Sequence, residues 1–434
     1  MFILATQIIA MLFLYNIILL AASQMVKILA LFSSKMKLFV AGRKNVFRDL
    51  QSKINANDKT IWFHAASLGE YEQGLPVIEK VKENFPNHKI VVTFFSPSGY
   101  EVRKNNTVAN VTIYLPLDTK CNAKKFIKSV NPEMVFFIKY EYWLNYLNEL
   151  KKQNIKTYLI SGIFRENQTF FKWYGGFYRK ALQAFTYFFV QNESSKNLVH
   201  KLGYNNVKVS GDTRFDRVVS ILERNNSLDF ITEFLTPTTN HQPLTTIVIG
   251  SSWQKDEELL INYINQSSNE VKFVIAPHNI KAEQILNLKS QIKKKTILFS
   301  EYNDEISPVG LNDKLDNYNV FIIDTIGILT KIYSYANIAY VGGGFGNPGV
   351  HNILEPATFG VPIVIGPNYS HFAEATALVN LGGCISINNQ AELNNVFDEL
   401  IENKTIRQEK GRICETFVQT NKGATEIIIS HIIN

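Results

Sequence analysis

Glu70, Glu141 and Arg214 each stand just past a short apolar run, and a glycine-rich turn near residue 345 makes a fourth place of the same kind. In the run HAASLGE, residues 64–70, small side chains clear space after the apolar stretch and present Glu70 at the opening of the next helix. Facing a ligand, that carboxylate can take a proton from an acceptor hydroxyl. Facing solvent, it only complements the helix dipole, worth under about 1 kcal/mol. KYEYW, residues 139–143, closes another strand and sets Glu141 at its carboxyl end, either as a ligand-facing carboxylate or as a surface partner of Lys139. GDTRFD, residues 211–216, sets Arg214 between Asp212 and Asp216, to be used in salt bridges or as a two-pronged hold on a phosphate. SPSG, residues 96–99, reads as a turn whose hydroxyls and backbone suit an anion.

The fourth place is the stretch 339–367, AYVGGGFGNPGVHNILEPATFGVPIVIGP. It reads as a buried strand at 338–342, a glycine turn, a helix opening near His351, a stop at Gly360 and a second buried strand at 362–366. Glycine backbones approach a ligand closely, and unpaired N–H groups at a helix start attract phosphate. Glu355, one turn into that helix, is placed to accept hydrogen bonds from sugar hydroxyls. Glycine-rich turns also occur in α/β proteins of every function, and the HNILEP run after the glycines is what sharpens this one.

Two domains are needed to position these turns. The chain has 434 residues with 46% hydrophobic content, enough for two α/β cores. Apolar runs at 60–65, 89–95, 111–115, 133–138, 156–160, 185–190 and 207–210 read as strands of a parallel sheet buried on both faces. Residues 222–243 turn polar and read as a connector. A second series follows at 246–250, 272–276, 296–299, 320–324, 338–342 and 362–365. The expectation is an N-terminal domain over 45–221 and a C-terminal domain over 244–434, both doubly wound and Rossmann-like, facing each other across a cleft. Ligands of such sheets bind outside the carboxyl ends of the strands.

Residues 1–24 contain no charged side chain, and about 20 such residues cross a hydrocarbon layer of roughly 30 Å. Lys27, Lys35, Lys37, Arg43, Lys44 and Arg48 follow, so residues 1–44 read as a membrane anchor with a basic, cytoplasmic flank. A cleaved secretory signal ending near Ser23 is the rival reading. Between 170 and 189, aromatic rings stand beside Lys172, Arg179 and Lys180, as at a membrane interface, while 181–189 reads as core. The net charge of +7 suits an anionic surface, phosphorylated lipid or nucleotide, and the scattered basic residues argue against nucleic acid. Three isolated cysteines, Cys121, Cys384 and Cys414, argue against a disulfide framework or a CxxC metal site and suit a reducing compartment.

Taken in order, HAASLGE, SPSG, PLD at 116–118, KYEYW, GDTRFD, GSSW at 250–253, DTIGIL at 324–329 and GVHNILEPATFGVP resemble the bacterial 3-deoxy-D-manno-octulosonic acid (Kdo) transferases of lipopolysaccharide biosynthesis. The resemblance implies a GT-B glycosyltransferase that moves Kdo from CMP-Kdo to a lipid A precursor (lipid IVA) at the cytoplasmic face of the inner membrane. It implies inversion at the anomeric carbon, no catalytic metal and no cofactor beyond the donor. By the same resemblance Glu70 is the general base, and Glu141 and Arg214 stabilise the transition state. Arg214 stands where lysine is usual, a fork in place of a point charge. Pro277 and His278 match a Pro-Arg contact to the nucleotide, with His278 in place of arginine. Ile326, Gly327 and Ile328, and Asn352, Ile353, Leu354 and Glu355, match the remaining segments that hold the CMP part of the donor. Two other readings remain: a GT-B transferase for a different nucleotide sugar, and a membrane-tethered binding protein of this fold without chemistry.

Overall fold

The computed structural model describes residues 2–236, 244–268, 270–303, 314–347 and 349–433, with side chains from Met11 onward. Residues 237–243, the later part of the expected connector, lie outside the described residues, as does Met1 of the apolar segment.

Seven strands form the first sheet: β1 (Lys59–Ala65), β2 (His88–Phe94), β3 (Val111–Tyr114), β4 (Pro132–Ile138), β5 (Lys156–Gly162), β6 (Tyr187–Val190) and β7 (Val207–Val209). Seven more form the second: β8 (Thr245–Ser252), β9 (Val271–Pro277), β10 (Thr296–Leu298), β11 (Val320–Ile322), β12 (Ile338–Val341), β13 (Ile363–Ile365) and β14 (Cys384–Ser386). The orders are β3-β2-β1-β4-β5-β6-β7 and β10-β11-β9-β8-β12-β13-β14, and the pairings are parallel. Every expected run became a strand within a few residues. β14 was not expected from the sequence.

Apolar continuity is the physical cause. Along β1, Trp62 packs into one face of the sheet with Val91 and Phe137, while Ile61 and Phe63 pack into the other with Ile90, Val92 and Phe136. Both faces are therefore closed to water, and the strand needs no polar alternation. In the second sheet Ile247, Ile249, Phe273, Ile275, Ile322 and Tyr340 belong to one buried cluster.

The chain divides into one unit of Met1–Arg217 with Lys422–Asn434 and a second unit of Val218–Asn421. The final helix, Ala424–Ile433, thus belongs with the first sheet, whereas the sequence pattern assigned everything from 244 to 434 to the second domain. Ile428 and Ile429 are the reason, because they bury in the cluster that holds Phe63 and Phe136. Asp216 fixes the start of that helix, accepting hydrogen bonds from the Thr425 N–H and hydroxyl, both at 2.7 Å.

Before the first sheet runs an apolar helix, Phe2–Leu29. Its segment Met11–Leu29 is long and apolar enough to cross a membrane. Phe13, Leu14, Ile17 and Ile18 are exposed, while Met11, Leu12 and Tyr15 pack against the first core. Among the basic residues that follow, Arg43 turns inward: it donates to the carbonyls of Leu115 at 2.9 Å, Phe39 at 3.0 Å and Phe95 at 2.6 Å. Burial lowers its guanidinium to about 10, so Arg43 serves the fold and not the charged flank.

In both sheets the strand order reverses at one place, between β1 and β4 and between β8 and β12. Such a reversal opens a crevice beyond the strand ends, where ligands bind. In the second sheet one buried carboxylate holds the two turns of that crevice together. Asp256 accepts from the Trp253 N–H at 2.9 Å after β8, and from the Gly343 N–H and the Tyr340 hydroxyl, both at 2.8 Å, on the β12 side. Gly343 is in the left-handed region, and a Cβ there would come within 2.4 Å of the Gly349 carbonyl oxygen.

Two stability outcomes are expected. Ile428→Ala should cost about 2–5 kcal/mol in urea unfolding of the full chain, while the exposed Glu426→Ala stays within about 0.5 kcal/mol. Equal effects would show that the terminal helix is not docked through Ile428. Asp256→Ala should cost about 3 kcal/mol or more, at roughly 1–3 kcal/mol for each buried donor left unpaired. A loss below about 1 kcal/mol would mean that water replaces the carboxylate.

Candidate active site

Glu70 and Glu141 follow β1 and β4, the two strands at which the first sheet reverses. Glu70 is the third residue of the helix Leu68–Asn84, half-buried, and its carboxylate accepts a hydrogen bond from the Ser67 hydroxyl. Glu141 follows Lys139, whose φ of 72° throws the chain sharply off the end of β4. The surface pairing with Lys139 is not what holds Glu141. Its carboxylate accepts from the Trp143 indole N–H at 2.8 Å and lies 3.4 Å from Nε2 of the buried His64. The same indole N–H reaches His64 Nε2 at 2.9 Å, and His64 Nδ1 meets the Thr93 hydroxyl at 2.8 Å. With its proton on Nδ1 the imidazole satisfies both contacts. One strand of the HAASLGE turn thus fixes the KYEYW turn.

Arg214 is joined to the same region through Asp212, not through Asp216. Its Nε and Nη2 reach Asp212 Oδ2 at 2.8 and 2.7 Å, and its own N–H bonds Oδ1 at 2.9 Å. Gln73, one turn beyond Glu70, donates to Asp212 Oδ1 at 2.7 Å. The Glu70 helix therefore steadies the carboxylate that orients the guanidinium. Ser96 caps the helix Pro97–Arg103, its hydroxyl accepting from the Ser98 N–H, so the SPSG run is a helix start and not the turn the sequence suggested. In the aromatic stretch, Ala181, Leu182, Phe185, Phe188 and Phe189 are buried as expected, whereas Trp173 is 91% exposed beside the exposed Lys172 and Tyr174.

The second sheet gathers the other residues. His278 lies at the end of β9, its N–H bonded to the Ser252 carbonyl at 2.9 Å, and its ring stacks on Trp253 with centroids 4.4 Å apart and planes 15° apart. His351 joins the stack, 4.6 Å from the His278 centroid, and accepts the Trp253 indole N–H at 2.8 Å. Burial, with the neighbouring His278, lowers His351 to about 4, and burial lowers His278 as well. Pro277 ends β9 directly before this ring.

The helix expected to open near His351 opens at Leu354 and runs only to Thr358. The His351 N–H is already bonded to the Gly342 carbonyl at 3.1 Å, and the Asn352 side chain accepts from the Leu354 N–H at 3.2 Å. No free helix start exists at His351 for a phosphate, and Glu355 is the second helical residue. Ile353 immediately precedes that helix. Glu355 accepts from Asn352 at 3.1 Å and from the Thr330 hydroxyl at 3.0 Å. Thr330 lies on the short helix that Ile328 precedes, so segments 326–328 and 352–355 are neighbours. Ile326 is 82% exposed and Gly327 has φ of 100°, leaving the backbone of that turn accessible.

Sequence reasoning missed the parts played by His64, Trp143, Trp253 and Asp256. The signal for Asp256 was present: an acidic residue three positions after Trp253, which caps the helix Gln254–Gln266, can bond back to its N–H.

The comparisons with known proteins can now be set beside this geometry. Residues 42–217, which include Glu70, Glu141 and Arg214, match the family model described as 3-deoxy-D-manno-octulosonic-acid transferase (kdotransferase). A 3-deoxy-D-manno-octulosonic acid transferase of Chlamydia trachomatis serovar D is 30% identical over 373 residues, 83% of this chain and 82% of the relative. One of Chlamydophila psittaci is 28% identical over 338 residues, 76% of this chain and 75% of the relative. Among solved structures, the UDP-GlcNAc 2-epimerase of Neisseria meningitidis bound to UDP-GlcNAc aligns with TM-score 0.58 at 14% identity, covering 86% of this chain and 99% of that one. That likeness concerns the GT-B-like fold alone. The sequence relatives go further, and on their coverage of both chains this protein belongs to the Kdo transferase family.

Proposed function

We propose that the chain transfers Kdo from CMP-Kdo to a lipid A precursor, with inversion and without a metal ion, in lipopolysaccharide core biosynthesis. The observation that carries the reading is the pair of carboxylates at the reversal point of the first sheet, with Arg214 tied to the same helix through Gln73 and Asp212. Glu70 takes the proton of an acceptor hydroxyl as that oxygen bonds the anomeric carbon. The bond from that carbon to the CMP phosphate breaks on the opposite face, and CMP leaves with the electron pair. Glu141, fixed by Trp143, and Arg214, fixed by Asp212, stabilise the charge that develops, without moving at the moment of reaction.

The donor's CMP portion belongs to the second unit: Pro277 and His278, the 326–328 backbone, and Asn352, Ile353, Leu354 and Glu355. Unprotonated His278 and His351 offer ring faces and hydrogen bonds there, not positive charge. The apolar helix, the exposed Leu31, Phe32 and Trp173, and Lys27, Lys35 and Lys37 support attachment to the inner membrane with the two sheets on its cytoplasmic side.

The test is a mass-resolved transfer assay in EDTA with CMP-Kdo, a tetraacylated lipid A precursor and detergent-solubilised protein. Wild type should add one or more Kdo masses. Glu70→Gln should lose at least about a hundredfold in turnover, the usual scale for a removed general base, while keeping donor affinity. Near-normal turnover would remove Glu70 from that role, and a metal requirement would overturn the metal-free mechanism. A second outcome concerns pH: CMP affinity should be flat from pH 7.5 to 8.5, because burial lowers the titration of both imidazoles below their ordinary range. A fall in affinity with a midpoint near 7 would show an imidazolium holding the phosphate.

A further inference from the structure

A cavity of about 540 Å³ opens beside Glu141 in the first unit, and the apolar N-terminal helix forms one of its walls. Tyr15 comes from that helix, Tyr140, Glu141 and Trp143 from the KYEYW turn, Asn167 from the loop before the 3-10 turn Thr169–Phe171, and Tyr178 from the helix beyond it. Aromatic faces, four of them tyrosines with hydroxyls, the Thr169 hydroxyl, two side-chain amides and a single carboxylate make up this lining, and no lysine or arginine is among the described residues that line it. Lys139 and Arg165 stand over the Tyr140 ring at the edge of the cavity, 5.0 and 5.8 Å from its centroid, so a phosphate in the lining itself would meet the Glu141 carboxylate. An acyl chain would strip water from the carboxylate and amides without replacing its hydrogen bonds. A sugar ring suits both halves of the lining, with its C–H face against the rings and its hydroxyls on the amides and Glu141.

The helical wall is held in register with the turn. The Tyr15 hydroxyl donates to Asp118 Oδ2 at 2.7 Å, and Asn145 donates to Asn16 at 3.1 Å. Asp118 also accepts from the N–H groups of Asn145 at 3.1 Å and Tyr146 at 3.0 Å, at the start of the helix Leu144–Lys152 that follows the Glu141 turn. One buried carboxylate therefore sets the N-terminal helix and the Glu141 turn relative to each other.

We propose that this cavity is the subsite for the hexosamine of the lipid-borne acceptor, and that the N-terminal helix is a structural wall of it and not an interchangeable tether. The inference rests on the transfer reading above and adds where the sugar sits and what the helix contributes. A substrate anchored in the bilayer can then reach Glu141 alongside the helix, with its sugar leading.

The experiment uses the full-length protein in lipid nanodiscs and an acyl-free glucosamine disaccharide as probe, with binding followed by calorimetry and Kdo transfer in parallel. Wild type should bind the disaccharide saturably. Binding should weaken about tenfold, the scale of one lost hydrogen bond, in Asn167→Ala and in a chimera whose residues 2–29 are an unrelated apolar helix. Restoring Tyr15 and Asn16 in register within the chimera should recover it, and CMP binding should be equal throughout, which reports an intact second unit. The subsite is overturned if wild type fails to bind the disaccharide, or if chimera and Asn167→Ala bind and transfer as wild type does. Disaccharide binding with the expected losses but no Kdo transfer by wild type would sink the transfer reading and leave the sugar subsite standing.

Discussion

Asp256 is the interaction on which the ligand end of the second sheet depends. Parallel pairing fixes β8 beside β12, but it says nothing about the turns beyond their ends. A single buried acceptor does that, by taking the Trp253 N–H from one turn and the Gly343 N–H from the other. Gly343 can point its N–H at the carboxylate only with a positive φ, which is why a residue with a side chain is excluded there. The position of the Trp253 ring follows from its fixed backbone, and that indole then carries His351 by a hydrogen bond and His278 by stacking. The ring stack is thus set from beneath by one carboxylate.

The first sheet solves the same problem with side chains in place of glycine backbone. His64 ends in the core with its ring against Trp143, and Trp143 holds Glu141, so information passes from β1 to the β4 turn through two rings. The contrast between the units is chemical. The first presents carboxylates and a paired guanidinium, suited to moving a proton and offsetting charge. The second presents imidazole and indole rings, main-chain groups and the Glu355 carboxylate.

Much of this fold was legible because both sheets are covered on both faces, which turns each strand into an apolar run that no amphipathic helix imitates. β14 escaped because it is three residues long, CIS, and its only buried position is Cys384. The helix near 351 was placed three residues early because the Val350 and His351 N–H groups bond the carbonyls of Asn368 and Gly342, contacts that no local pattern announces. The candidate site was legible as residue types at strand ends, and its partners were not. GDTRFD shows two equivalent aspartates flanking Arg214, and what separates them is a contact of Asp216 with Thr425, more than two hundred residues away. Asp212 is left to the guanidinium because Asp216 is engaged elsewhere.

The N-terminal helix shows what composition alone does not reveal. By hydropathy Met11–Leu29 is a span of 19 residues. Yet polar groups in hydrocarbon are costly, and here Tyr15 and Asn16 find their partners on Asp118 and Asn145 of the first unit. Met11 and Leu12 are seated on the same core. What extends past that contact, from Ile17 to Leu29, is about 20 Å at 1.5 Å per residue, against a hydrocarbon layer of about 30 Å. The face of this helix that carries Phe13, Leu14, Ile17 and Ile18 is left exposed, while the face that carries Met11, Leu12 and Tyr15 is committed to the first unit.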